Sequence, residues 1–217
     1  MLASIGVLLA AAAVTLPPST DVTRPRLQIQ IQVEKGVDLD ASDVRAIASG
    51  IRAIWSPMLD VVVSLPGTAA PGAMDWVRLV ITDDMLATRE NTGLGWIGFV
   101  DGEPQPSITV SFAAAKRLAE SGAWRGVAFS HLPPRASHLF FQRALAAASA
   151  HEVGHYLLRS RDHTRKGLMR AVFTVDEIMD TRASLNRLDP EAAVRLRGRL
   201  KLARRDGDEE AGAQTRP

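Results

Sequence analysis

Between Leu27 and Val33 every second residue is apolar: Leu27, Ile29, Ile31 and Val33 alternate with Gln28, Gln30 and Gln32, the period of a half-buried strand. The period then changes. Val44, Ile47, Ala48, Ile51 and Ile54 fall on one face of a helix that Asp40 or Ser42 can cap and that ends before Pro57. Two apolar, β-rich runs follow, Leu59 to Leu65 and Trp76 to Thr82, separated by Pro66, Gly67, Pro71 and Gly72, and both read as strands. A strand, helix, strand, strand order predicts a mixed α/β sheet with a crossover helix. Leu94 to Val100 and Ser107 to Phe112 flank a loop containing Asp101, Gly102, Pro104 and Pro106, which predicts a hairpin. Gly93, Gly95 and Gly98 weaken its first strand and suit an edge that another backbone can approach, such as a peptide adding a strand. A weak helix over Ala113 to Glu120 and an irregular stretch from Gly122 to Arg135 come next. Near the end, Asp189-Pro190 opens a helix whose Ala193, Val194, Leu196 and Leu200 can pack on the core.

The stretch Arg143 to Leu158, RALAAASAHEVGHYLL, carries the chemistry. Its alanines and leucines favour helix, and residues 144–150 hold no charge, as suits a helix buried through a domain. His151 and His155 stand four residues apart, a rotation of only about 40° on a helix, so both imidazoles can reach one metal ion with Glu152 beside them. HExxH in this setting reads as a zinc site with Glu152 as general base. His131 and His138 are read as surface or packing histidines rather than ligands.

Beyond the second histidine stand His163 and then Gly167-Leu168-Met169. HExxH, a third histidine and a Gly-Leu-Met segment resemble the metzincin zinc metalloendopeptidases, in particular the compact matrixin or archaemetzincin type, over residues 143–170. The resemblance implies His151, His155 and His163 as ligands of Zn2+, Glu152 as the group that activates a zinc-bound water, and Met169 as the Met-turn methionine. It implies that Ala171 to Thr174 line the pocket for the side chain after the scissile bond. It also implies the fold: a compact α/β (α+β) domain with a mixed, mainly parallel twisted sheet and an antiparallel edge strand. A crossover helix, a buried active-site helix and a C-terminal helix complete it. Two departures stand out. Seven residues separate His155 from His163 where the family pattern has about five, and Leu158 holds the place of the family glycine, so the reversal after the helix is expected later, over Ser160 to Asp162. Glu177, 22 residues after His155, is a rival third ligand near the gluzincin spacing.

Composition places limits on partners. With 46% apolar and 23% charged residues in 217, the chain reads as one soluble domain, expected to be a monomer over residues 24–204. A net charge of +2 and arginines dense only from Arg195 to Arg205 give no reason to expect nucleic acid, and a peptide or protein substrate is expected instead. Leu2 to Val14 is an apolar, alanine-rich run too short for the ~20 residues of a spanning helix. Residues 1–20 are therefore read as a signal peptide or N-terminal apolar segment, with the mature chain secreted or periplasmic by bacterial export and without a membrane span. Residues 205–217 are polar and read as a disordered tail. The absence of cysteine rules out disulfides, lipid attachment through cysteine and a cysteine switch. A noncatalytic exported α/β binding protein, with a structural metal or an HExxH arising by chance, is the reading from a different class.

Overall fold

The alternation at the start of the chain produces a strand, β1 (Arg26–Val33), with Leu27, Ile29 and Ile31 completely buried. The computed structural model describes residues 24–64, 75–84, 93–180 and 187–201. The expected signal segment, the polar tail and the turn residues Pro66, Gly67, Pro71 and Gly72 lie outside them.

After β1, Asp40 caps α1 (Ala41–Trp55) by accepting from the Ser42 and Asp43 amides at 2.6 and 2.9 Å, while Asp43 returns a bond to the Asp40 amide at 3.0 Å. The helix crosses over the sheet, and β2 (Asp60–Ser64) and β3 (Asp75–Thr82) flank β1 in parallel on either side. The hairpin strands β4 (Gly95–Val100) and β5 (Glu103–Ser111) complete the order β2-β1-β3-β5-β4. β5 runs parallel to β3, and β4 closes the sheet as its antiparallel edge. Parallel strands need crossover connections, and burying both sides of such a sheet falls to its helices.

The hairpin turn is shorter than expected. Only Asp101 and Gly102 make it, both at positive φ, and Pro104 and Pro106 lie inside β5. They are tolerated because pairing with β3 begins only at Ser107, so neither proline is asked for an amide on that side.

α2 (Phe112–Glu120) follows β5 directly, capped by Ser111. The stretch expected to be irregular holds a two-stranded hairpin, β6 (Ala123–Trp124) and β7 (Val127–Ala128), turned by Arg125 and Gly126. The long helix α3 (Pro134–Leu158) begins nine residues before the Arg143 start of the expected stretch, with Pro134 in its first turn. It packs against α1 and against β4 and β5. Its alanines explain how closely: a Cβ at Gly50 of α1 would stand 2.7 Å from that of Ala146, so the two helices meet almost backbone to backbone. The domain ends with the short α4 (Val175–Met179) and a helix over 190–201, whose first turn is held by the Asp189 carboxylate. In that last helix Ala192 and Leu196 are buried, whereas Val194, expected in the core, faces solvent. The core-facing stripe therefore runs 192, 196 and the partly buried 200 at four-residue spacing. No helix among the described residues is long and apolar enough to cross a membrane.

Candidate metal centre

α3 delivers its last two turns to the face of the sheet where β4 forms the edge. His151, Glu152 and His155 are all within 6% of full burial there. Each histidine is oriented through its second nitrogen: His151 Nδ1 donates to the Leu168 carbonyl and His155 Nδ1 to the Ser160 carbonyl, both at 2.7 Å. A carbonyl only accepts, so the protons sit on Nδ1 and the Nε2 lone pairs are left free. Those two Nε2 atoms face one another at 3.0 Å. Two acceptors at that separation repel unless a cation lies between them.

The third histidine joins them. Ligand nitrogens of His151, His155 and His163 all lie within 4.8 Å of one another, and the His163 ring stacks on His151 at 5.2 Å between centroids. Tetrahedral zinc with nitrogen ligands at 2.0–2.1 Å spaces them by ~3.3 Å, so this donor set fits zinc and leaves a fourth position open. Burial holds the His151 imidazole at a pKa of about 4 and lowers those of His155 and His163, which keeps all three neutral and ready to ligate near neutral pH.

The approach of His163 depends on how α3 ends. Arg159 adopts the left-handed conformation at φ 47°, one residue after the family glycine's place, and its amide caps the carbonyls of His155 and Tyr156. The reversal thus precedes the expected Ser160 to Asp162. Those residues form the next turn instead, in which Asp162 N donates to Ser160 Oγ at 3.1 Å and Ser160 Oγ donates to the Asp162 carboxylate at 2.8 Å.

Beneath the cluster, Met169 is fully buried against α3. A Cβ on Gly154 would overlap Met169 Sδ and stand 3.0 Å from its Cε, so the glycine within HExxH is what lets the methionine floor reach the helix. Gly154→Ala is expected to destabilise the fold by about 1–3 kcal/mol through overpacking. Thermal unfolding checks this, and an unchanged or raised midpoint would contradict it, since alanine is the better helix former.

Glu177 is elsewhere engaged. Its carboxylate accepts from Arg170, from the Thr174 amide at 3.0 Å and from the Thr174 hydroxyl at 2.8 Å, closing the capping box of α4. Among the described residues the metal-competent group comprises the three histidines without it. His138 is also remote from the centre, its Nε2 paired at 2.7 Å with Asp43.

No family model matches the chain, and no curated protein matches it. Among solved structures, its fold is that of archaemetzincin. The crystal structure of archaemetzincin from Methanopyrus kandleri superposes with a TM-score of 0.50 at 13% identity, covering 84% of this chain and 99% of that one. At that identity the likeness concerns the archaemetzincin fold alone.

Glu152 borders the cluster on the side of the edge strand. Burial raises its pKa to about 8, and it has no hydrogen-bond partner among the described residues. A Cβ at Gly95 of β4 would come within 2.8 Å of Glu152 Cγ and 3.1 Å of Oε1. Sequence reading placed Gly95 on an edge open to a ligand; the structure adds that its missing side chain makes room for the carboxylate. A pocket of about 400 Å³ is lined by Thr164, the residue after His163, and by Arg170, Ala171, Val172 and Thr174. Phe173, from the same segment, lies edge-on to His151 at 5.6 Å.

Proposed function

We propose that the chain is a zinc-dependent peptidase of the archaemetzincin type that cleaves peptide bonds within polypeptides. One observation carries this reading: two buried imidazoles with their Nε2 atoms 3.0 Å apart and a third beside them, flanked by a buried carboxylate with no hydrogen-bond partner among the described residues. His151, His155 and His163 would hold the ion. A bound zinc ion supplies Lewis acidity, making a water acidic near neutral pH and polarising a peptide carbonyl.

The chain's own groups supply the rest. Glu152 accepts the proton of the attacking water and returns it to the leaving amine. It must be ionised to do so, and a divalent cation at the adjacent histidines favours the carboxylate that burial alone disfavours. β4 pairs with β5 alone among the described strands, and its other side suits an extended peptide adding as a strand. The pocket along 170–174 suits the side chain that follows the scissile bond. The reading carries with it the expectation of an exported monomer.

An unfolded polypeptide such as casein, incubated with the full chain, is expected to be cleaved, to be protected by a chelator and to be cleaved again when zinc is restored. Zinc at one equivalent without hydrolysis would favour a structural metal in a binding protein. Within this mechanism Gly95→Ala is expected to push the Glu152 side chain aside and lower kcat by ~10²-fold while zinc content stays at the wild-type level. Equal kcat in the two proteins would remove β4 from the positioning of Glu152.

A further inference from the structure

The twelve residues 159–170 that carry His163 and Met169 hold five cations, Arg159, Arg161, Arg165, Lys166 and Arg170, against one carboxylate, Asp162. The whole chain sets 26 basic against 24 acidic residues, so this excess is local. Arg159 is paired with Glu103 at 3.0 Å, and Arg170 with Glu177. Asp162 accepts from Ser160 within its own turn. Arg161, Arg165 and Lys166 remain exposed, with no carboxylate partner among the described residues.

In the chain they flank His163, with Arg161 two residues before it and Arg165 and Lys166 two and three after it. Arg161 reaches the end of the edge strand: its guanidinium lies 4.8 Å from the centroid of the Phe99 ring and donates to the Phe99 carbonyl at 3.5 Å. Arg165 and Lys166 form the tip of a reversal closed by the Thr164 amide donating to the Met169 carbonyl at 2.8 Å. The feet of that reversal, Thr164 next to His163 and Arg170, bridge to one another and both line the pocket. A polypeptide lying along β4 and turning a side chain into the pocket would pass between these cations.

We propose that the preferred substrate is acidic across the segment that spans the site, and that Arg161, Arg165 and Lys166 select it. This rests on the peptidase reading and adds the substrate class to it. Exposed pairs are individually weak, but several of one sign act together on encounter and on register.

Binding tests the selection apart from catalysis. Fluorescein-labelled peptides of equal length, one rich in glutamate, one in glutamine and one in lysine, are titrated by fluorescence anisotropy onto the full-length Glu152→Gln chain with and without zinc. The glutamate peptide should bind about tenfold more tightly than the glutamine peptide at low salt, with the ratio shrinking as ionic strength rises. Combined Arg161→Gln, Arg165→Gln and Lys166→Gln should remove the preference. Arg45→Gln, Arg78→Gln and Arg117→Gln, which change the net charge equally on other exposed surfaces, should keep it. Equal affinity for the acidic and neutral peptides, or equal loss in the two triple variants, would overturn the proposal. Failure of the peptidase reading shows separately, as a wild-type chain that binds the acidic peptide preferentially and cleaves none.

Discussion

Glu152→Gln is expected to reduce peptide hydrolysis by about 10²–10⁴-fold, the range for removing a general base, while one zinc stays bound. Glutamine keeps the shape of the side chain but cannot take a proton from water. The same substitution has a second signature in the metal-free protein. Burial raises the Glu152 pKa from 4.5 to about 8, so the folded state holds this proton more tightly than the unfolded chain. Its stabilising contribution is complete below pH 4.5 and is lost as pH rises through 8. His151 has the opposite sign: with a folded pKa near 4 against 6.5, its contribution is present above 6.5 and lost as pH falls toward 4. Glu152 opposes His151 between 4.5 and 6.5, where the lowered His155 and His163 act in the same sense as His151; above 6.5 the histidine contributions are complete and the Glu152 contribution continues to fall. From pH 6.5 to 8.5 the metal-free wild type should therefore lose about 2 kcal/mol relative to Glu152→Gln, or about 4–8 °C in midpoint. Denaturation of both proteins across that window checks it. Parallel pH profiles would mean that the Glu152 carboxylate is solvated rather than buried.

Zinc should raise the unfolding midpoint of the wild type by on the order of 10 °C when present at about a thousand times its dissociation constant, and should leave that of His155→Ala nearly unmoved. His155 contributes an Nε2 lone pair to the cluster and ties the chain reversal through Nδ1 to the Ser160 carbonyl. Its loss would remove one of the three nitrogens proposed to hold the ion and loosen the loop that carries His163, so the damage to affinity should exceed the 10–100-fold typical of changing an outer partner. Thermal melts with and without zinc read this directly. An equal zinc shift in both proteins would place the metal elsewhere.

Local patterns were legible where they coincided with burial. Leu27, Ile29 and Ile31 alternate because one face of β1 meets the helices, and the Asp40 cap is a contact over three residues. Pro104 and Pro106 misled because proline forbids a strand only where its missing amide would have been paired, and that depends on how far β3 extends. The hairpin over 123–128 and the N-terminal turns of α3 were hidden because both rest on contacts made by distant segments: the Arg125 amide donates to Asp176, and Gln142 of α3 to Asp43 of α1. Of the apolar residues expected to pack from the last helix, Leu196 and Leu200 do, but the register turns Val194 to solvent and puts Ala192 in the core.

At the site, HExxH could be read from helical spacing alone. The third position could not, because His163 and Glu177 were both at plausible distances along the chain. What separates them is tertiary: Arg159 accepts a left-handed conformation without glycine, bringing His163 back, while Arg170 and Thr174 engage Glu177. The dependence of the Glu152 position on Gly95, and of the Met169 position on Gly154, had no sequence signal beyond the glycines themselves.

The most direct test is the zinc content of the purified full chain by elemental analysis, beside His163→Ala and Glu177→Ala. The three-histidine centre predicts one zinc per chain in the wild type and in Glu177→Ala, and its loss in His163→Ala. A chain that holds no zinc after reconstitution, or that loses it only when Glu177 is changed, would contradict the centre and the peptidase built on it.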